Sequence, residues 1–431
     1  MKDIANLRIT LSELDDMLVN CMRCGMCQSV CPVFRDSMLE GDVARGKLVL
    51  IDSLAKRMID SPGEVKDRLD NCLLCGSCEA NCPSGVKVMD IFIKARIVLT
   101  NYMGLSPAKK AIFRGTLVHP RFFNGLVSMG SKFQGIMTSE ADSFLGTSCS
   151  KIMSPLIGDR HFMPLAKRPF RKDHSGIDSG KGTANIRVAF YPGCVVDKML
   201  PQVGHAVIKA LEHHGCGIYL PKKQACCGIP SLASGDEESA IKLLKQNLKA
   251  FSKGNYDVLV TPCATCTSTI KKLWPKIAAQ ISPEAEKKAQ RISDRTMDIS
   301  EFLVKHFDVD LSAHAASGKK KVVTWHDPCH LKKSIGVSAE PRAILKGLPG
   351  YEFVEMNEAD YCCGNGGSFN LQHYDTSSRI GSRKRDNIIA SGADVVTTGC
   401  PACMMQMTDM LSQAHDNVAV KHVIELYADA L

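Results

Sequence analysis

Residues 21–32 read Cys21-Met22-Arg23-Cys24-Gly25-Met26-Cys27-Gln28-Ser29-Val30-Cys31-Pro32, and the arrangement returns as Cys72, Cys75, Cys78 and Cys82 followed by Pro83. Each run is C-x2-C-x2-C-x3-C-P. Soft thiolates suit iron–sulfur or zinc sites, but zinc takes its four ligands as two separated pairs. A tight triplet with a distant fourth, present twice, is the pattern of two [4Fe–4S] cubanes in which the fourth cysteine of each run reaches across to the other cluster. On that pattern Cys21, Cys24, Cys27 and Cys82 hold one cubane, and Cys72, Cys75, Cys78 and Cys31 hold the second.

Working outward, the 431 residues are too many for one core, so two or three domains are expected. A hydrophobic fraction of 45% with 23% charged residues describes an ordinary soluble globular protein. No uninterrupted apolar stretch has the length of a spanning helix. After Met1-Lys2-Asp3, Glu13, Asp15 and Asp16 arrive before any apolar run, so no signal peptide is expected. Twenty cysteines without a secretory signal point to metal ligation in a reducing cytoplasm and away from a disulfide framework. The formal charge of +9 overstates the basicity, because each oxidised cubane with its four thiolates carries about −2. No basic helix or aromatic-interleaved strand appears, so nucleic acid is not an expected partner.

Between the two cysteine runs Leu48, Ile51, Leu54, Ala55, Met58 and Ile59 recur at the spacing of one helical face, and a second helix is expected over Val88–Thr100. Residues 1–100 therefore read as an all-α two-[4Fe–4S] ferredoxin module. From 101 to 184 no clean period persists, and Arg171–Ala184 reads as an exposed linker. The basic stretch Lys167–Lys172 just before it reads as a solvated linker end, with membrane or partner docking as the alternative.

The remainder, 185–431, is an internal repeat. The first copy runs from the apolar stretch Ile186–Tyr191 to Cys194, then through a helix bearing Val203, Ala206, Val207, Ala210 and Leu211, a short strand Ile218–Leu220, and Cys226-Cys227-Gly228. A helix with Ala240, Leu243, Leu244, Leu248 and Phe251 leads to the strand Val258–Val260 and to Cys263-Ala264-Thr265-Cys266. The second copy gives Val322–Trp325, Cys329, Cys362-Cys363-Gly364, a helix, Val395–Thr397, and Cys400-Pro401-Ala402-Cys403. Equivalent cysteines lie 135, 136 and 137 residues apart (194 to 329, 226 to 362, 263 to 400). Alternating strands and helices predict two related α/β units, 185–310 and 320–431, with short parallel sheets.

In each copy the cysteines fall where a strand ends and a helix begins, the place where open α/β sheets bind ligands. Helix N-termini there favour thiolate and an anionic cluster. Five cysteines exceed what one cubane needs, so a cluster with extra thiolate coordination is expected at Cys194, Cys226, Cys227, Cys263 and Cys266, and again at Cys329, Cys362, Cys363, Cys400 and Cys403. Cys149 and Cys216 have no equivalents in the repeat and read as structural thiols. Gly193, Gly228 and Gly364 would allow close backbone approach, and Asn365-Gly366-Gly367 reads as a tight turn. His326 and His330 flank Cys329 and could tune a cluster or move protons; the first copy has Tyr191 and Val195 nearby instead.

The spacing C, about 30 residues, CC, about 35 residues, C-x-x-C, present twice, resembles the cysteine-rich "CCG" domain. A two-cubane helical module followed by two such domains resembles the iron–sulfur subunit of glycolate oxidase, the corresponding subunit of anaerobic glycerol-3-phosphate dehydrogenase, and iron–sulfur subunits of lactate-oxidising complexes. The stretch Gly41-Asp42-Val43-Ala44-Arg45-Gly46-Lys47 is similar to a segment those subunits carry after their first cysteine run. The resemblance implies an electron-transfer subunit holding two cubanes and one or two further [4Fe–4S] clusters, cubane or noncubane. It implies a separate FAD-containing dehydrogenase subunit oxidising glycolate, lactate or glycerol 3-phosphate, and a quinone or another redox partner as acceptor. The expected location is the cytoplasm, including the inner face of the cell membrane. No G-x-G-x-x-G opening a βαβ unit is present, so hydride chemistry is assigned to the partner. The same modules occur in heterodisulfide reductase, and the complete five-cysteine sets keep a catalytic disulfide reductase as the alternative.

Overall fold

The computed structural model describes residues 4–151, 158–174, 176–312 and 318–431; Met1-Lys2-Asp3, read above for a leader, lie outside it. The chain forms two units. One comprises residues 1–117 together with 228–240 and 364–380, and the other comprises 118–227, 241–363 and 381–431. Among the described residues no helix is long and apolar enough to cross a membrane.

The first unit is helical. Ile4–Ser12, Ala44–Ala55, Pro62–Asp70 and Val88–Met103 bury Leu7, Leu11, Leu48, Ile51, Leu54, Leu69, Ile91, Phe92, Ala95 and Leu99. The expected apolar face of the helix between the cysteine runs stops at Ala55. Arg57 turns left-handed at φ 63°, which ends the helix and leaves Met58 exposed. Arg96, itself buried, donates to the carbonyls of Leu69, Cys72 and Ala233. One guanidinium thus ties the start of the second cysteine run to the 228–240 segment, which satisfies three backbone acceptors at once.

Among the described residues the second unit contains ten strands in three sheets. A small antiparallel hairpin pairs β1 (Thr138–Asp142) with β2 (Thr147–Ser150). The first copy of the repeat builds β3 (Arg187–Phe190), β4 (Gly217–Tyr219), β5 (Val258–Thr261) and β6 (Thr296–Asp298), all parallel in the order β4-β3-β5-β6. The second builds β7 (Lys321–Trp325), β8 (Tyr351–Phe353), β9 (Val395–Thr398) and β10 (Ala419–His422) in the matching order β8-β7-β9-β10. The sequence repeat is therefore a repeat of topology. Each strand pair is joined through helices, as parallel pairing requires. The strands β6, β8 and β10 are three or four residues without an apolar run, so no periodicity announces them. Both sheets share one hydrophobic core that includes Val188, Phe190, Val260, Phe302, Val323, Trp325, Val396 and Tyr427.

The segment read as irregular holds the 18-residue helix Pro120–Met137. The stretch read as a linker is exposed at its surface but pinned along its backbone. Leu220 N–H donates to the Ile177 carbonyl, Ser179 N–H to that of Ile218, and Ala184 N–H to that of Gly215. Lys167–Lys172 is not a solvated end: Phe170 is fully buried, and Arg171 pairs at 2.9 Å with the buried Asp197.

Candidate functional site

The helical unit holds its eight motif cysteines in two places. One cavity is lined by Cys21, Cys24, Cys27 and Cys82, with Cys78 also on its wall. The other is lined by Cys31, Cys72, Cys75 and Cys78. Local backbone explains the convergence. In both runs the residue before the second cysteine (Arg23, φ 57°; Leu74, φ 51°) and the residue after it (Gly25, φ 85°; Gly76, φ 72°) are left-handed. This alternation curls the backbone into a concave loop of the kind that presents N–H groups to an anion. Cys31 caps the helix Pro32–Ser37, accepting from the Phe34 N–H at 3.5 Å.

Burial pushes the Cys31 thiol up to about 12, with Cys75 and Cys72 adding to it, and it raises Cys78 as well. Such thiols ionise only with compensating cations, which iron supplies. The chain adds its own: Lys47 is buried, donates to the Asp42 carbonyl, and has Cys72 and Cys31 offsetting the lowering that burial imposes. The donor sets fit iron–sulfur clusters in chemistry and in charge.

In the sheet unit all ten repeat cysteines lie beyond the C-terminal ends of β3, β4, β5, β7, β8 and β9. Cys194 and Cys226 Sγ atoms are 4.0 Å apart. All are free thiols; Cys266 neighbours both Cys227 and Cys263, and Cys403 both Cys363 and Cys400. Cys263 and Cys400 also neighbour each other, so the two copies meet at their C-x-x-C motifs. Cys400, accepting from Cys263, Cys403 and Thr265, is held well below the usual thiol value, and Cys263 is held above it. Cys263 and Cys400 are also the N-cap residues of Ala264–Ser268 and Pro401–Gln413.

Gly193 is left-handed at φ 77°, and a Cβ there would stand 3.2 Å from the Cys266 Sγ, so only glycine lets the loop pass the thiol. Gly364 is left-handed too, with the Ser377 carbonyl 2.6 Å from any added Cβ. The Asn365 side chain accepts from the Gly367 N–H at 2.8 Å, which makes the expected tight turn. Cys149, whose Sγ is 3.3 Å from the Ser139 Oγ, lies in the hairpin, and Cys216 is buried before β4, its thiol pushed up to about 11 by burial.

Several polar residues at these sheet ends were not singled out from sequence. Asp327 is buried beneath the Cys329 loop, bonded by the Trp325 Nε1 at 2.7 Å and bidentately by Arg342 at 2.9 and 2.8 Å. Arg342 holds its carboxylate below the usual range despite burial. Lys384, fully buried, donates to the Glu358 carbonyl; burial pushes it down to about 8 against the pull of Cys363 and Cys362. His330 Nδ1 is 3.2 Å from the Thr265 Oγ1, which is 3.6 Å from the Cys400 Sγ. His422, pushed down to about 4 by burial, uses both ring nitrogens, one toward the Pro262 carbonyl and one accepting from the Ile424 N–H. Apart from His330, which its place beside Cys329 marks in the sequence, only a tertiary signal could have found these groups, since none repeats between the copies.

Asp298 ends β6 at the same edge as the cysteines, fully buried, with Oδ1 accepting from the Ser300 N–H and Oδ2 without a partner. Burial raises its carboxyl from 3.8 to about 7. The folded state thus binds a proton that the unfolded chain has released, and stability is lost as pH rises through that window. Three pKa units correspond to about 4 kcal/mol at most. Asp298→Asn keeps the Ser300 cap and removes the charge. Its melting temperature relative to wild type should therefore rise between pH 5 and pH 8; a gap that does not change with pH would refute this account.

The model of the 4Fe-4S dicluster domain matches residues 17–86, and that of a cysteine-rich domain (CCG) matches twice, over 188–271 and 323–408. Over 399 residues the chain is 31% identical to the probable glycolate oxidase iron-sulfur subunit of Bacillus subtilis, which covers 90% of this chain and 88% of that protein. It is 33% identical over 284 residues to a subunit of the fumarate reductase (CoM/CoB) of Methanothermobacter marburgensis, covering 65% of this chain and 54% of that one. Lactate utilization protein A of Bacillus cytotoxicus is 28% identical over 241 residues, or 56% of this chain and 98% of its own length. With two helical cysteine cavities and two parallel-sheet cysteine sites in one polypeptide, the chain binds iron–sulfur clusters and belongs to the family of glycolate oxidase iron–sulfur subunits.

Proposed function

We propose that the chain is the electron-transfer subunit of a flavin-dependent dehydrogenase. It takes electrons from an FAD-containing partner that oxidises a 2-hydroxy acid such as glycolate or lactate, or glycerol 3-phosphate, and passes them to quinone or another carrier. The observation that carries this reading is the run of free thiols Cys227–Cys266–Cys263–Cys400–Cys403–Cys363, in which each cysteine neighbours the next and two candidate centres adjoin. The relatives named for glycolate oxidase and lactate utilization supply the substrate class. Cys21, Cys24, Cys27 and Cys82 hold one cubane, Cys72, Cys75, Cys78 and Cys31 the second, and each five-cysteine set one further cluster. Bound clusters supply one-electron redox steps, which suit a two-electron flavin donor. The chain's own part is to exclude water around the buried thiols and to set their charge with Lys47 and Lys384.

A disulfide-reducing role at a cysteine-rich site is the second reading, favoured by the two complete five-cysteine sets and by the likeness to the Methanothermobacter protein named for CoM/CoB. Anaerobic purification from the native cell, with visible and EPR spectra before and after each substrate, separates the two. Electron transfer predicts a co-purifying flavoprotein and bleaching by glycolate, lactate or glycerol 3-phosphate. Clusters that no substrate reduces, yet a disulfide reoxidises, would favour the second reading. The ligand assignment makes its own forecast: Cys82→Ser should abolish the cubane signal lost in Cys21→Ser, and Cys31→Ser the one lost in Cys72→Ser. The reverse pairing would refute the crossed arrangement.

For location, the reading is peripheral attachment to an anionic membrane surface through the helix Pro120–Met137. Phe122, Leu126, Met129, Phe133 and Ile136 recur every three or four residues along it, Met137 follows, and all are exposed. Arg121 and Lys132 accompany them, and residues 91–139 contain no Asp or Glu. An exposed apolar stripe in an acid-free basic stretch matches an interfacial helix. Phe122→Ser/Phe133→Ser should lose sedimentation with phosphatidylglycerol vesicles while keeping its iron. Equal binding by variant and wild type, or binding only to a flavoprotein partner, would refute the lipid surface.

A further inference from the structure

The two cysteine-rich copies differ in one donor. His326 directly follows β7 and is fully enclosed. Its Nδ1 lies 3.1 Å from the Ala359 carbonyl, so that nitrogen carries the proton and donates it. Nε2 is left with a lone pair, and no hydrogen-bond partner reaches it. A buried acceptor without a partner is costly unless something else meets it. A ring nitrogen of His326 and the Sγ atoms of Cys363 and Cys403 lie within 4.8 Å of one another. Because Nδ1 is committed to Ala359, Nε2 is the nitrogen free to act with those sulfurs.

The first copy places Tyr191 at the corresponding point, 135 residues earlier. Its hydroxyl donates to the Ala225 carbonyl at 2.6 Å and is fully buried. A neutral phenol committed to a carbonyl is a poor iron ligand, whereas a neutral imidazole with a free lone pair is a good one. The Ala359 carbonyl fixes the tautomer and the ring plane, as partners of metal-bound histidines do.

We propose that Nε2 of His326 is an iron ligand in the second cysteine-rich copy, giving that centre mixed nitrogen and thiolate ligation while the first is held by thiolates alone. The proposal rests on the reading that the second copy binds an iron–sulfur cluster. With five cysteines in each copy, Nε2 takes the place on iron of one of the second copy's thiolates, and a neutral nitrogen in place of an anionic sulfur raises the reduction potential, as it does where histidines replace cysteines. The second centre is then the better electron acceptor of the pair, and electrons run from the first copy toward the second.

The test uses the full chain purified anaerobically with its clusters and with 15N-labelled histidine, read by pulsed EPR in the redox states that carry unpaired spin. A histidine nitrogen coupling of the size of a directly bound ligand is expected, and it should vanish in His326→Asn. Asparagine can still offer an N–H to the Ala359 carbonyl, so a merely structural histidine would be largely replaced, whereas a ligand would not. The second centre of the variant should also titrate at a lower potential. Absence of any bound-size histidine coupling in the wild type overturns the proposal, as does a coupling that survives in His326→Asn. The wild-type measurement decides even if the variant does not fold. Iron and sulfide analysis distinguishes the deeper failure: a second copy without a cluster lowers the iron content, whereas a cluster ligated by cysteines alone leaves it unchanged.

Discussion

Burying many thiols in one place is the constraint that everything else in the sheet unit serves. A thiol sheltered from water resists ionisation, and its neighbours resist it further once one has done so. Eight such groups at the ends of two parallel sheets, with Cys194 and Cys329 half-buried beside them, therefore need cations, helix N-termini and donors around them, or they remain inert. The fold supplies these at fixed points. Cys263 and Cys400 stand at helix N-termini, Lys384 lies beside the Cys362-Cys363 pair, and Asp327 with Arg342 anchors the loop that delivers Cys329. Removing one partner from a buried arrangement of this kind is far more damaging than the worth of the bond alone, because the remaining group keeps its desolvation cost.

The two copies are alike in topology and unlike in their polar groups. Both sheets run parallel in the same strand order, and both send a single cysteine, a pair and a C-x-x-C to the same edge. Yet β6 ends in Asp298 and β10 in His422, and Tyr191 stands where the other copy has His326. Duplication preserved what the backbone requires and released what the local chemistry could vary. Two sites of matching strand order but different polar groups therefore surround their thiols with different local electrostatics.

The helical unit solves a similar problem with less material. Its two cysteine runs share left-handed residues at the same motif positions, Arg23 with Gly25 and Leu74 with Gly76. Conformations that are strained for arginine and leucine persist only where the surroundings over-determine them. Here the neighbouring motif cysteines converge on common cavities, and Arg96 holds the Cys72 carbonyl from behind.

The sequence by itself determined the ligand chemistry, the duplication and most of the apolar helices, because cysteine spacing and 3.6-residue periodicity are local properties of the chain. Val203, Ala206, Val207, Ala210 and Leu211 do line the buried face of one helix, Pro201–His213. Tertiary structure alone decided which polar groups stand around the thiols. Asp298, Thr265, Lys384 and His422 come from separate elements and share no spacing that a linear reading could detect. The short strands β6, β8 and β10 escaped for the same reason: three or four residues acquire strand geometry from the neighbours they pair with and carry too little pattern of their own. The helix Pro120–Met137 is the opposite case. Its pattern lies in the sequence, but its frequent glycines and serines obscured the period, and only the folded chain showed its apolar residues facing outward.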